Sequence, residues 1–473
     1  MKRAAYLSAF VVTGLLSISL LSSSFRTKSQ SDLNTRDDDE ISYKANGKQS
    51  RQEGHLQLST AFENDYYTRN NRTGHYYAEL HADNYQNNES KHLPLNISVV
   101  IDRSGSMSGD KIRNAKQAAK FIVDQLNPDD YFSVVMYDQT VDVVHEASRV
   151  ENKQAIKLKI DRIVDRGSTN LMGGAMKGYE QVRKNYRSGY INRVLLLSDG
   201  LANEGITDAK QIERIVRKKS MDEGISISTF GVGNDYNEDL MTAMAESGTG
   251  NYYFISNAEN IASIFKKELN GLKDIVAQDA ELVVRIPDYV NIDKVYGFKY
   301  IQDGRTLRIK FRDVFASETK GVLIKYTVDA NRNTTIRFDA SLSFTDALTA
   351  DTRRIALNNK NDYTDNRSLF QESYSEWVSA QVALYESNER LEMAMQEVDK
   401  GNYDEAKKMV KQNKEYMKSK APLVNKSVEL QKAESVNSTY DMQIKDVENM
   451  PQEDVKYMQK ASKSSNYEIR TKK

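Results

Sequence analysis

Two apolar stretches of this chain end in an aspartate. In "VVIDRSGSMSGDKI", Val99 to Ile112, Asp102 is followed at once by Ser104, Gly105, Ser106 and Ser108, and in "RVLLLSDG" Asp199 is followed by Gly200. A third stretch, "DRGSTNLMGGA" from Asp165 to Ala175, carries Ser168 and Thr169 in a glycine-rich loop just before a helical pattern. Carboxylates and hydroxyls are hard oxygen donors. They suit Mg²⁺ with its octahedral shell of bonds at about 2.0 to 2.1 Å, and Ca²⁺ or Mn²⁺ accept the same donor type. If hydroxyls supply much of the shell while a carboxylate acts through water, the metal stays electron-poor and open to an oxygen ligand from outside. Gly105 and Gly200 fit a backbone that must turn tightly beside such a ligand.

Other chemistries find no residues to carry them. "HEASR" at His145 opens like a zinc-protease motif, but no second histidine follows at the fourth position, and the segment reads as a strand. There is no Walker loop and no G-x-S-x-G elbow, and the glycine and lysine spacing of "SGSMSGDK" is wrong for a phosphate cradle. The absence of cysteine removes disulfides, thiolate catalysis and cysteine-based zinc sites together. Lys plus Arg equals Asp plus Glu at 67 each, so bulk charge points neither to nucleic acid nor to an anionic membrane surface.

The acids must be positioned by buried strands. "LPLNISVVID" (93–102), "YFSVVMYD" (131–138), "RVLLLSDG" (193–200) and "ISISTFGVG" (225–233) are nearly continuous apolar runs, as expected for strands covered on both faces of a parallel sheet. Between them lie helical patterns, such as Ile112, Ala115, Ala119, Ile122 and Leu126, and others at 170–186, 207–222, 236–247 and 257–270. Only Gln139 and Thr140 separate "YFSVVMYD" from "VDVVHEAS", too few residues for a crossover, so that pair predicts a hairpin and one antiparallel strand. The class is therefore α/β, a doubly wound, mostly parallel six-stranded sheet over 93–273. In such a sheet, ligands bind beyond the carboxyl ends of the strands at the switch point. A 3-2-1-4-5-6 order puts Asp102 and Asp199 on neighbouring strands there.

These residues carry a resemblance. Asp102-x-Ser104-x-Ser106, a separate Thr169 and Asp199-Gly200 resemble the metal-ion-dependent adhesion site (MIDAS) of von Willebrand factor type A domains. The surrounding blocks, including "GSTNLMGGA", "LLLSDGLANEG" and "GVGNDYNEDLMTAMAESGTGNYYFI", are similar to exported bacterial members grouped with inter-α-trypsin-inhibitor heavy chains and calcium-activated chloride channel regulators. The resemblance covers 93–270. It implies a Rossmann-like fold and a divalent metal held by Asp102, Ser104, Ser106, Thr169 and Asp199, with the Asp or Glu of a partner protein completing the shell. Gly105, Asn170 and Gly200 are candidates to surround that shell. Asn170 and Asp110 also suit helix capping, and Ser108 reads as a cap.

Around this domain, β-type alternation appears at 55–92 and again at 274–346, and the two flanks are expected to pair into a sandwich into which the α/β domain is inserted. The tyrosines of "ENDYYTRNNRTGHYY" are expected to pack across strands. Residues 369–433 read as a helical hairpin docked on its own protein, 434–473 as a loose polar tail, and 26–54 as a tether without structure. Residues 1–25 join Lys2 and Arg3 to an apolar run, 4–21, and then to small residues. That pattern describes a signal peptide or an uncleaved membrane anchor and an extracytoplasmic body, periplasmic, envelope-associated or secreted. The combined expectation is a metal-dependent protein-binding module that is not an enzyme. Its rivals are an envelope scaffold with a structural metal and a metal-dependent hydrolase.

Overall fold

The computed structural model describes residues 43–44, 47–85 and 93–472. The expected signal or anchor at 1–25 lies outside the described residues. Among those residues, no helix is long and apolar enough to cross a membrane.

Among the described residues, the strands of the first flank are β1 (Gln49–Glu53), β2 (Leu56–Phe62) and β3 (Thr73–Ala82). The α/β domain follows as β4 (Leu95–Asp102), α1 (Asp110–Gln125), β5 (Tyr131–Tyr137), β6 (Val141–Arg149), α2 (Lys153–Asp161), α3 (Leu171–Lys184) and β7 (Ile191–Ser198). It continues with α4 (Ala209–Glu223), β8 (Ser226–Val232), α5 (Glu238–Ser247), β9 (Thr249–Ile255) and α6 (Ile261–Lys273). In chain order its six strands lie 3-2-1-4-5-6, and β6 is antiparallel to β5 while the other pairs are parallel.

Every residue of β4, β7 and β8 is buried because helices cover both faces of the sheet. Ile97, Val99 and Ile101 point to one core with Phe265 and Leu269 of α6, and Val100 points to the other with Tyr179 and Val182 of α3. Each such side chain removed from water contributes about 2 kcal/mol. That burial fixes the register of β4, so the strand's last residue, Asp102, emerges at a defined height beside β7.

The second body is a sandwich built from both flanks. β10 (Ile275–Arg285), β12 (Thr306–Phe315), β14 (Ile336–Asp346) and β15 (Thr352–Tyr363) form most of one sheet. β11 (Val290–Tyr296) and β13 (Thr319–Val328) join β3, β2 and β1 in the other. β3 pairs with β13 from Thr73↔Thr327 to His81↔Thr319, so chain from before the α/β domain is hydrogen-bonded to chain from after it. Phe62, Tyr76, Tyr326 and Phe338 meet edge-on or tilted in the core, and Tyr67 and Tyr76 are buried there as the alternation predicts.

A helical body closes the chain: α7 (Glu376–Asp399), α8 (Tyr403–Ser419), α9 (Val428–Gln443) and α10 (Gln452–Thr471). The structure departs from the expectation in the segment after 433 and in the segment before 55. The segment expected to be a loose tail is helical, and Val455, Met458, Tyr467 and Ile469 of α10 are buried. Its inward positions also include Lys460, Ser462 and Asn466, buried polar residues that break the apolar period a sequence scan depends on. Residues 49–53 of the expected tether form β1 on the edge of β2. That strand is held by backbone hydrogen bonds while its side chains stay mostly exposed, so no alternation marks it. β15 extends the second flank past 346 for a similar reason, with a polar text, "TRRIALNNKNDY".

Candidate metal centre

Four loops at the carboxyl edge of the sheet bring the polar residues together. Asp102 closes β4 and is fully buried. Its Oδ1 accepts from the Ser104 backbone N–H at 2.8 Å, and its Oδ2 accepts from Ser198 Oγ at 2.6 Å and from Tyr137 OH at 3.3 Å. Burial raises the Asp102 pKa above the usual carboxylate value, reinforced by the Asp199 charge and opposed by the hydrogen bonds from Ser104 and Ser198.

Asp199, also fully buried, accepts from Ser106 Oγ at 2.7 Å through Oδ1 and from Lys111 Nζ at 2.6 Å through Oδ2. Ser104 Oγ lies 3.1 Å from Ser106 Oγ. Thr169 is buried, and its backbone N–H donates to Asn203 Oδ1 at 2.9 Å. A Cβ placed on Gly200 would stand 2.9 Å from Thr169 Oγ1 and 3.6 Å from Ser106 Oγ, so these two hydroxyls share the bare space over Gly200. The structure thus gathers all five expected ligands, Asp102, Ser104, Ser106, Thr169 and Asp199, around one point of the sheet edge.

The neighbours named from sequence divide by role. Gly105 donates its N–H to Gly167 O at 3.0 Å, tying the serine loop to the threonine loop. Asn170 caps α3, its Oδ1 accepting from Gly173 N–H at 2.9 Å. Ser108 makes no side-chain cap bond at the start of α1, where Gly109 is the capping residue.

Several residues that the motif does not contain build the support. Asp138, fully buried, accepts from Thr140 N–H and Oγ1, from Arg166 Nε at 2.9 Å and from Arg103 Nη2 at 3.1 Å. Its backbone O accepts from Asn170 N–H, and Arg103 O accepts from Arg166 N–H. One acid thereby stitches together the loops that carry Ser104, Ser106 and Thr169. Burial would raise the Asp138 pKa, but the bonds from Thr140 and Arg166 and the Arg103 charge hold it below the usual range. The signal for Asp138 was present, since it ends "YFSVVMYD" as Asp102 ends "SVVID". Lys111 and Ser198 carried none.

The donor set fits a divalent cation. All five groups are hard oxygens, the space over Gly200 would be filled by a single Cβ, and a cation, the Lys111 ammonium, already rests on Asp199. His145 lies in β6, where burial and then the Lys159 charge push its pKa down to about 4. Among the described residues no second histidine stands with it as a zinc ligand.

Comparison with known proteins bears on the domain that carries these residues. Residues 96–267 match the model of the von Willebrand factor type A domain. The chain is 33% identical over 226 residues to the uncharacterized protein YfbK of Escherichia coli (strain K12), a match covering 47% of this chain and 38% of that one. It is 28% identical over 255 residues to inter-alpha-trypsin inhibitor heavy chain H1 of Sus scrofa, covering 50% of this chain and 28% of that one. The chain therefore spans well under half the length of these two relatives. Among solved structures, a von Willebrand factor type A protein from Catenulispora acidiphila shares the fold with a TM-score of 0.66 at 15% identity, over 82% of this chain and 92% of that one.

Proposed function

Since residues 96–267 are a von Willebrand factor type A domain, and such domains are in general protein-interaction modules, we propose that the chain is a metal-dependent binding protein that captures an Asp or Glu side chain of a partner protein. The observation that carries this reading is the convergence of Asp102, Ser104, Ser106, Thr169 and Asp199 at the switch point between β4 and β7. A divalent ion held by these groups, Mg²⁺ first and Mn²⁺ or Ca²⁺ by the same donor chemistry, would supply a Lewis-acidic position for a carboxylate.

The protein's own residues do the rest. Ser198 and the Ser104 N–H fix both oxygens of Asp102, and Ser106 fixes one oxygen of Asp199, so the acids are aimed before any ligand arrives. Gly200 leaves the approach open and Ser106 is exposed at the rim. Among the described residues no histidine stands at the site: His55, His75 and His81 belong to the sandwich region and His145 to β6. The basic, apolar, small-residue text of 1–25 supports placing this activity outside the cytoplasm, at the bacterial envelope.

The test is capture of envelope proteins on immobilised full chain with Mg²⁺, with EDTA, and with Asp102→Ala. A partner retained only by the wild type with Mg²⁺ is the expected result. Equal retention in EDTA overturns the mechanism, and a lowered melting temperature in EDTA with unchanged retention makes the metal structural.

A further inference from the structure

We propose that Lys111 is a built-in counter-cation of the metal centre, which lowers the site's affinity for a divalent ion and raises the affinity of the loaded site for a carboxylate. This inference rests on the metal-dependent reading above and concerns how that same site is tuned.

Lys111 is the second residue of α1. A cation in the first turn faces the positive end of the helix dipole, an unfavourable place unless an acid compensates. Here the acid is Asp199, with Lys111 Nζ at 2.6 Å from an oxygen of a carboxylate that has no solvent exposure. The lysine passes beside Gly233, where a Cβ would lie in ordinary van der Waals contact, 3.5 Å from both Lys111 Cε and Nζ. The nearby acid that could divert the lysine is Asp235, and Lys456 of α10 holds that one at 2.9 Å. Lys111 therefore belongs to the site.

The charges then count simply. Asp102 and Asp199 contribute two negative charges and Lys111 one positive, while Arg103 and Arg166 are spent on Asp138 and Asp142. The ligand set carries a net charge of about −1 in place of −2. Loaded with a divalent ion, it is net positive in place of neutral, and an arriving carboxylate neutralises it rather than charging it. In a partly buried site that difference is large. Lys111 also occupies the Asp199 oxygen that Ser106 leaves free, so it competes for a metal-ligating atom directly.

The experiment uses the full chain and Mn²⁺ alone, with free Mn²⁺ read by electron paramagnetic resonance, for wild type, Lys111→Met, Lys111→Gln, Lys111→Arg and Asp102→Asn. Lys111→Met and Lys111→Gln are expected to bind Mn²⁺ roughly tenfold more tightly than wild type, and Lys111→Arg within about threefold. Acetate is then titrated into the Mn²⁺-loaded proteins while water proton relaxation reports displaced water. Half-displacement should require several times more acetate in Lys111→Met and Lys111→Gln. If both variants bind Mn²⁺ within about twofold of wild type while Asp102→Asn loses it, the lysine proposal is overturned and the metal centre stands. If wild type binds no Mn²⁺, or Asp102→Asn binds it as well as wild type, the metal-dependent reading falls and takes this one with it.

Discussion

Two clusters of acids in this protein look alike on paper and are opposite in kind. At the sheet edge, Asp102 and Asp199 stand among three hydroxyls with one lysine between them and solvent. At the seam between the α/β domain and the helical body, Glu238, Asp239 and Asp399 bring carboxylate oxygens within 4.8 Å of one another, a grouping that could hold a metal by donor count alone. There, however, Lys463 reaches all three acids, and Lys460 donates to Glu238 at 2.5 Å and to Tyr236 O at 2.7 Å. The seam has spent its charge on itself. Tyr467 of α10 goes further, packing in the core of the α/β domain with its OH accepting the Tyr252 N–H. The difference between the clusters lies in what the acids meet: hydroxyls and a single lysine at the edge, two lysines shared among three acids at the seam.

The sharpest way to break this contrast is to remove one acid from each. Asp102→Asn should lose Mn²⁺ binding altogether at up to millimolar ion while its melting temperature in EDTA stays near that of wild type. Loss of fold instead would make the edge cluster structural like the seam. Glu238→Gln should do the reverse, leaving Mn²⁺ affinity unchanged and costing about 3 kcal/mol in denaturant unfolding, because buried Lys460 would lose its carboxylate and Lys463 would lose one of its three. Burial acts to raise the Glu238 pKa, but Lys463 and Lys460 bring it below the ordinary 4.5. The wild-type advantage over Glu238→Gln should therefore be full above pH 4.5 and vanish as the pH falls through the lowered value.

The same contrast explains what the sequence could and could not say. Asp102 and Asp199 were legible because they interrupt runs of apolar residues at strand ends, where the doubly wound fold places ligands, and the sandwich flanks were legible from their alternation. The seam was not. α10 reads as lysines, serines and asparagines because its buried positions are ion pairs and hydrogen bonds, such as Lys460 on Glu238, whose partners lie more than two hundred residues away. A period of apolar residues can be scanned for, whereas a match between distant charges cannot. Lys111 was hidden likewise, as one of many lysines until its ammonium is seen on Asp199.

A smaller change tests whether open space, rather than the acids alone, makes the edge cluster a site. Gly200→Ala places its Cβ 2.9 Å from Thr169 Oγ1 and 3.6 Å from Ser106 Oγ, within reach of two hydroxyls and no charge. Mn²⁺ affinity should fall about tenfold, as for changes to groups that orient ligands, while the unfolding free energy moves by less than about 1 kcal/mol. An unchanged affinity would mean that the hydroxyls over Gly200 do not contribute.

The smallest effect separates both clusters from the titration of the fold as a whole. His145 sits on β6, away from either cluster, with its pKa pushed from 6.5 down to about 4 by burial and by Lys159. Between those values the unfolded chain holds a proton on this ring that the folded chain refuses, so its contribution to stability is complete above pH 6.5 and is lost as the pH falls toward 4. The comparison of wild type with His145→Asn isolates this from the acids. From pH 7 to pH 5 wild type should lose about 1 kcal/mol relative to the variant, less than the full shift implies because the ring is only partly buried and solvent screens Lys159. Glu238 should not titrate in that window, since its lowered pKa keeps it ionised above pH 4.5. A pH 5 loss that persists in His145→Asn and disappears in Glu238→Gln would instead place the titration in the seam, where two lysines are shared among three acids.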